Sequence, residues 1–370
     1  MTSPIPPLRV GLIGCGNISD AYFEGLRPFS TLASLTLCAD VVHERALAKA
    51  SQHRIRAANS LDELLSSKEI DVVLVLTPPR SHASLCLQAL QAGKHVYVEK
   101  PLATSYAEGV EVVREARKRN LTLGCAPDTV LGDGIQTFRH ALDSGAIGAP
   151  VACVANMLCR GHEHWHPSPD FYYQEGGGPL FDMGPYYLTT LVSLFGPCRS
   201  VCAMAKTSFA ERTATSAPCK GKTITVRVPT HYSASLGFHN GVIASLIMSF
   251  DTYSHSLPWL EVYGSDGSLL GPDPNRFDGS VKVARLREAW SDHPSLNLGL
   301  GGRGLGVAEM CLSLRKGARH ASGDVALHVL EIMDAINRSA STGTTQLLES
   351  SSDRPPPVSR ELRDLRRLSD

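Results

Sequence analysis

The sequence has no surplus of either charge. Its 36 Lys+Arg residues balance 36 Asp+Glu, so there is no basic field to draw the chain to nucleic acid or to an anionic membrane surface. No apolar run approaches the roughly 18 residues a membrane-crossing helix needs, and residues 1–9 lack the basic-then-apolar order of a signal peptide. A cytoplasmic location is therefore expected. Ten cysteines are present, but no pair has C-x-x-C spacing and most lie inside apolar runs such as 35–38 and 151–154. They read as reduced, buried thiols, not as a disulfide framework or a zinc site. What is left, 370 residues with 43% hydrophobic side chains, suits a globular chain of about two domains.

Glycine is where the chain first becomes informative. Residues 8–13 form an apolar run of strand length, followed at once by Gly14-Cys15-Gly16-Asn17-Ile18-Ser19 and an amphipathic stretch with Tyr22, Phe23 and Leu26. The spacing is G-x-G-x-x-S, with serine at the small-residue position of the dinucleotide fingerprint. Such glycines let backbone N–H groups approach a pyrophosphate at a helix N-terminus, where the partial positive charge favours anions. Cys15 lies within this loop, where its exposure would matter to thiol reagents. A second strand over 35–39 ends in Asp40, at the separation expected of the acid that accepts hydrogen bonds from the adenosine ribose. That charge would repel a 2′-phosphate, and Val41 and Val42 follow it instead of a cation, although Arg45 is near. NAD is expected over NADP.

Residues 71–76 read as a buried strand running into Thr77-Pro78-Pro79, with Ser81 and His82 after it. Consecutive prolines hold the backbone extended, so this loop can lie flat beneath a nicotinamide ribose or a pyrophosphate. A helix over 84–92 stops at Gly93, and the run 95–98 then ends in Glu99, Lys100 and Pro101. Polar groups thus emerge at the carboxyl end of a buried strand, where open α/β sheets bind ligands, and Lys100 is placed to meet cofactor and substrate together. A helix over 108–119 and a strand over 121–126 continue the alternation. The fold expected for 1–127 is α/β, a doubly wound parallel sheet of the Rossmann type.

Gly14-x-Gly16-x-x-Ser19, Thr77-Pro78-Pro79 with His82, and Ala92-Gly93-Lys94-His95-Val96-Tyr97-Val98-Glu99-Lys100-Pro101-Leu102 together resemble the glucose–fructose oxidoreductase, inositol dehydrogenase and rhizopine-catabolism family, written Gfo/Idh/MocA. The resemblance extends over nearly the whole chain. It implies a second α+β domain with a mainly antiparallel sheet. In the family a D-x-G-x-H or D-x-G-x-Y motif joins the lysine of E-K-P in a catalytic group. Asp182-Met183-Gly184-Pro185-Tyr186 has the second form, which assigns Lys100, Asp182 and Tyr186 to catalysis.

The residues themselves change character after Asp128. Helix-like 129–144 gives way to strand-like runs at 151–158, 200–205, 223–228, 232–238, 242–250 and 259–263, with an Asn240-Gly241 hairpin signal and another at Asp266-Gly267. The substrate domain is expected over 128–349, and its sheet is expected to pair copies into a homodimer or homotetramer. His162, His164 and His166 would fall on one side of an extended backbone. That pattern is open to two readings, a divalent-metal site or a polar wall for a sugar with Trp165 as stacking platform and Tyr172 or Tyr173 beside it. The second is preferred, so no metal is expected. Asp182 and Tyr186, at i and i+4, share a face if a helix starts here. His328, within a helical run over 325–339, reads as a hydrogen-bonded structural residue. Residues 350–370 read as a proline-rich, charged, linker-like tail.

The expected function is an NAD-dependent oxidoreductase moving a hydride between nicotinamide and a secondary alcohol of a sugar, glycoside or cyclitol. Its cofactor contacts would come from Gly14, Cys15, Gly16, Asn17, Ile18, Asp40, Thr77, Pro78, Pro79, His82, Glu99 and Lys100. The alternatives are an NAD(H)-sensing regulator without turnover and an NADP-linked reductase of diols or aldehydes.

Overall fold

The computed structural model describes residues 6–317 and 322–367. They form two compact units. The first runs up to Asp133 and regains residues 297–327 and the segment from Pro356 onward; the second comprises 134–296 and 328–355.

In the first unit six parallel strands lie in the order Arg56–Ala57, Ala33–Ala39, Leu8–Ile13, Val72–Val75, His95–Val98, Leu123–Cys125. This is the doubly wound order, in which the chain reverses direction beside the first strand and opens a crevice at the carboxyl edge. Val72–Val75 is buried at every position, as a strand covered by helices on both faces must be. Local chemistry sets the helix starts. Ser60 accepts from the Glu63 N–H at 3.1 Å, and Ser105 and Glu108 form a reciprocal capping box that opens helix Tyr106–Lys118.

The second unit carries a nine-stranded sheet in the order Ser291–Asp292, Lys282–Arg285, Gly267–Gly271, Leu260–Gly264, Pro150–Leu158, Ile243–Ser249, His231–Phe238, Cys198–Lys206, Gln346–Leu347. Every neighbouring pair is antiparallel except Pro150–Leu158 with Ile243–Ser249. Both expected hairpins are present, joined through Asn240-Gly241 and through Ser265-Asp266. Strand His231–Phe238 alternates buried and exposed residues, and helix Gly178–Phe195 packs on the three strands at the sheet's centre.

The C-terminal third departs from the expected boundaries. Instead of a substrate domain ending at 349 and a linker-like tail, residues 297–327 and the segment from Pro356 rejoin the first unit. Asp128, fully buried, explains the first return: it accepts from the Gly304 N–H at 2.8 Å and the Arg303 guanidinium at 3.2 Å. A Cβ on Gly25 would lie 1.7 Å from the Arg303 carbonyl oxygen, so the first helix admits this segment only because residue 25 has no side chain. The tail folds as well. Helix Arg360–Arg367 buries Leu362 completely, and Arg354 bonds the Ser193 carbonyl and Asp143. The final three residues of the expected tail lie outside the described residues.

Helix Leu305–Arg315 places Glu309 largely out of water, with one carboxylate oxygen lacking any partner, and burial pushes its pKa up to about 7. The folded state then holds a proton that the unfolded chain releases near pH 4.5, so this group costs stability progressively as pH rises from about 4.5 to about 7. Glu309→Gln is expected to raise stability by about 2 kcal/mol at pH 8 and to leave it unchanged near pH 4. Urea melts of both proteins at the two pH values check this; an equal gain at both would show that the carboxylate's charge is not the cause.

Candidate active site

The carboxyl edge of the parallel sheet gathers the candidate residues of the first unit. Gly14 has φ +99°, and a Cβ there would stand 2.9 Å from the backbone at Leu76 and Thr77. The glycine is thus required by left-handed backbone and by the close pass of the Thr77-Pro78 loop. A Cβ at Gly16 would meet nothing within 4 Å, so open space lies over the loop. Helix Ser19–Leu26 follows with no side-chain cap on its first turn. Its leading N–H groups therefore lack the hydroxyl or carboxylate that usually satisfies them, as an anion-binding helix start requires. Asn17 and Ile18 belong to this turn.

Asp40 follows the second strand, with its carboxylate oriented by the Cys15 N–H at 2.7 Å and the Val42 N–H at 2.8 Å. Val41 beyond it is fully exposed. An open glycine loop, an uncapped helix start and a held carboxylate fit a dinucleotide. Cys15 departs from expectation: its thiol is free but buried, hydrogen-bonded with that of Cys38, and held far above the ordinary range by that contact and by burial. A buried thiol held protonated is a poor target for thiol reagents.

Glu99 and His82 tie this edge together. Glu99, 8% exposed, accepts from the Tyr22 hydroxyl at 2.9 Å with one oxygen and from the Lys100 N–H at 2.9 Å with the other. Its carboxylate is therefore committed within the protein and holds the Lys100 backbone. His82 was expected among the cofactor contacts, yet it is completely buried, with Nδ1 2.7 Å from the Pro101 carbonyl and Nε2 2.7 Å from the Thr77 carbonyl. It bridges the Thr77-Pro78-Pro79 loop to the Lys100-Pro101 turn. Burial lowers its pKa, against the two carbonyls and the Glu99 charge. The fit to a cofactor thus falls to the loops that His82 joins, not to its ring.

In the second unit, Asp182 lies in the first turns of helix Gly178–Phe195 and Tyr186 follows one turn later, 5% exposed. The i, i+4 spacing is helical, as the sequence suggested. The histidine segment is not extended. The His166 N–H donates to the His162 carbonyl at 2.9 Å, closing a tight turn, and the three imidazoles do not line one side. Among the described residues no group of three or more His, Cys, Asp or Glu side chains is arranged to hold a metal ion.

The turn sends His162 inward, its Nε2 3.0 Å from Asp182 Oδ2, and leaves His164 and Trp165 exposed and His166 half-buried. Tyr172 packs edge-on against His162 and His166. Tyr173 is buried and serves the scaffold: its hydroxyl donates to Glu163, which also accepts from Arg212 at 2.9 Å, while Arg212 pairs with Asp251. Glu163, Arg212 and Asp251 escape a sequence reading because only the fold brings them together. His328 is structural as expected, its Nε2 accepting from the Cys198 N–H at 2.9 Å and burial lowering its pKa to about 4.

Comparison with known proteins adds to this. Residues 8–126 match the oxidoreductase family with an NAD-binding Rossmann fold, and residues 135–270 match the GFO/IDH/MocA C-terminal domain. An uncharacterised oxidoreductase of Synechocystis is 28% identical over 72% of this chain and 72% of its own length. A 1,5-anhydro-D-fructose reductase of Ensifer adhaerens is 27% identical over 71% of this chain and 75% of its own. Several other curated relatives align over only 42% to 56% of their length. Levoglucosan dehydrogenase, solved with NADH and levoglucosan, shares the fold with a TM-score of 0.79 at 22% identity, over 93% of this chain and all of that one.

The His82 bridge yields a test. His82→Leu removes the ring that lies between the two carbonyls, one of which takes its single N–H, and is expected to cost about 1–2 kcal/mol, with NADH binding weakened at least about tenfold as the two loops lose register. Thermal melts and NADH fluorescence titration measure both; unchanged affinity would dissociate the bridge from the cofactor loops.

Proposed function

The chain belongs to the Gfo/Idh/MocA oxidoreductase family, and from that premise we propose that it exchanges a hydride between NAD and a secondary alcohol of a sugar, glycoside or cyclitol. The observation that carries this reading is the meeting, on one sheet edge, of the open Gly14–Gly16 loop, the Thr77-Pro78 loop and Lys100, whose backbone Glu99 holds. Relatives named as a 1,5-anhydro-D-fructose reductase and a levoglucosan dehydrogenase support a sugar-like substrate. Asp40 supports NAD over NADP, because a carboxylate there opposes a 2′-phosphate.

When bound, the nicotinamide supplies the hydride acceptor or donor. The chain's residues handle the substrate and its proton. Lys100 polarises the substrate oxygen with its ammonium charge. Tyr186 exchanges the alcohol proton, and Asp182 orients the substrate. Half-exposed Trp165, with His164, His166 and Tyr172 near it in sequence and in ring contacts, suits a polyhydroxylated ligand that needs both a ring face and hydrogen-bonding groups. Exposed Val151, Met204, Ile243 and Leu347 on the nine-stranded sheet support pairing of two copies through that sheet.

Reduced-nicotinamide absorbance, followed with NAD and NADP across sugars, glycosides and inositols, tests the reading; turnover with NAD on one class is expected. Lys100→Ala should then lower kcat about a thousandfold at saturating cofactor, and retention of most turnover would overturn the mechanism. NADH binding with no turnover across the panel would favour a sensor instead. Sedimentation is expected to show a dimer or tetramer, and a monomer at micromolar concentration would remove the sheet pairing.

A further inference from the structure

The bond between His162 and Asp182 has a third member. Trp165 Nε1 lies 3.2 Å from His162 Nδ1. An indole N–H can only donate, so Nδ1 must present its lone pair. The one proton of the ring is then on Nε2, which faces Asp182 Oδ2 at 3.0 Å. An imidazolium would set N–H against N–H at Trp165. The pair is thus a neutral imidazole donating to a carboxylate, and the indole fixes the tautomer.

The ring has little freedom to turn away. It meets Phe250 at 4.6 Å and Tyr172 at 4.4 Å between centroids, both edge-on. The turn that carries it is fastened from the next residue. Glu163, buried, takes the Tyr173 hydroxyl and the Arg212 guanidinium with its carboxylate, and its backbone carbonyl accepts from the N–H groups of Thr215 and Ser216. Arg212 is itself anchored by Asp251, which Thr230 also bonds.

We propose that His162 is a positioning residue for Asp182: held as its Nε2–H tautomer by Trp165, it keeps the Asp182 carboxylate in one orientation. The inference rests on the proposed catalytic role of Asp182. His162 is accordingly not a wall residue open to the substrate. It converts the contact of an exposed indole into the geometry of a carboxylate on the neighbouring helix.

The test joins a spectroscopic and a kinetic readout on the full chain. Nitrogen chemical shifts of 15N-histidine-labelled protein are expected to show His162 with Nδ1 unprotonated and Nε2 protonated at neutral pH. Trp165→Phe should let the tautomers mix, and Asp182→Asn should shift Nε2. His162→Leu is expected to lower kcat at least about tenfold with a smaller change in KM. His162→Gln, whose amide N–H2 can reach the same oxygen, should recover part of the loss while His162→Leu does not. A protonated Nδ1 in the wild type, or Nε2 shifts indifferent to Asp182→Asn, would overturn the pairing. Wild-type kcat in His162→Leu would overturn the positioning role. If Asp182→Asn keeps full turnover, the catalytic assignment of Asp182 falls, and the positioning role with it; nitrogen shifts that still follow the substitution would tell that case from a failed pairing.

Discussion

At the carboxyl edge of the parallel sheet, polar groups must be buried without being left unpaired. Unsatisfied buried donors and acceptors cost about 1–3 kcal/mol each, and this edge concentrates them. The chain answers with two side chains. Glu99 collects the Tyr22 hydroxyl and the Lys100 N–H, and His82 spans the carbonyls of Thr77 and Pro101. Both interactions are internal, so neither residue is spent on a ligand. What they fix is the backbone on either side of the crevice, and with it the place from which the Lys100 side chain leaves the sheet. A lysine at a strand end is ordinarily solvated and mobile; here its own N–H and the carbonyl of the next residue are both held.

The second unit solves the same problem with ions. Glu163, Arg212 and Asp251 lie 8–9% exposed at their side chains, a buried arrangement centred on Arg212, whose removal would leave two carboxylates buried without their cation. Its product is a turn with little latitude, and the turn brings His162 to Asp182. A carboxylate near a helix start is otherwise free to cap its own helix or to swing toward solvent. The two units therefore prepare their reactive groups in different ways, one by committing neighbouring side chains to the backbone and the other by fastening a turn.

Most of the fold was legible because hydrophobic period and punctuation agree. Runs such as Val72–Val75 are apolar throughout, glycine and proline stand at their ends, and the acid after the second strand is at the fingerprint distance. Asn240-Gly241 gave the hairpin by turn chemistry alone. The second unit's short edge strands, Lys282–Arg285, Ser291–Asp292 and Gln346–Leu347, carry no such pattern. The return of residues 297–327 was hidden for another reason: it depends on Asp128 meeting Arg303 and Gly304 across about 175 residues of chain, and on the missing side chain of Gly25. In the site, Asp182 and Tyr186 were found on a helix as their spacing required. The three histidines misled, since alternation places them together only in a strand, and the bond from the His166 N–H to the His162 carbonyl makes a turn instead.

These differences follow from the kind of group that carries each unit's candidate residues, backbone in one and side chains in the other. A pyrophosphate is met by backbone N–H groups and a helix start, and the demand on sequence is for missing side chains at fixed spacing, which survives in a single chain as Gly14 and Gly16. The side chains of the second unit are placed instead by long-range closure. Trp165, His162 and Asp182 are joined in a line by two hydrogen bonds, yet seventeen residues separate the tryptophan from the aspartate, and the turn that aligns them is fastened by Arg212 and Asp251, farther along still. Because the indole is exposed while the carboxylate is held, the outer end of the line is joined to the inner end only through the imidazole between them. In this fold the glycine-loop signature is therefore local in sequence, whereas the line from Trp165 to Asp182 is distributed over the turn and the strands that hold it.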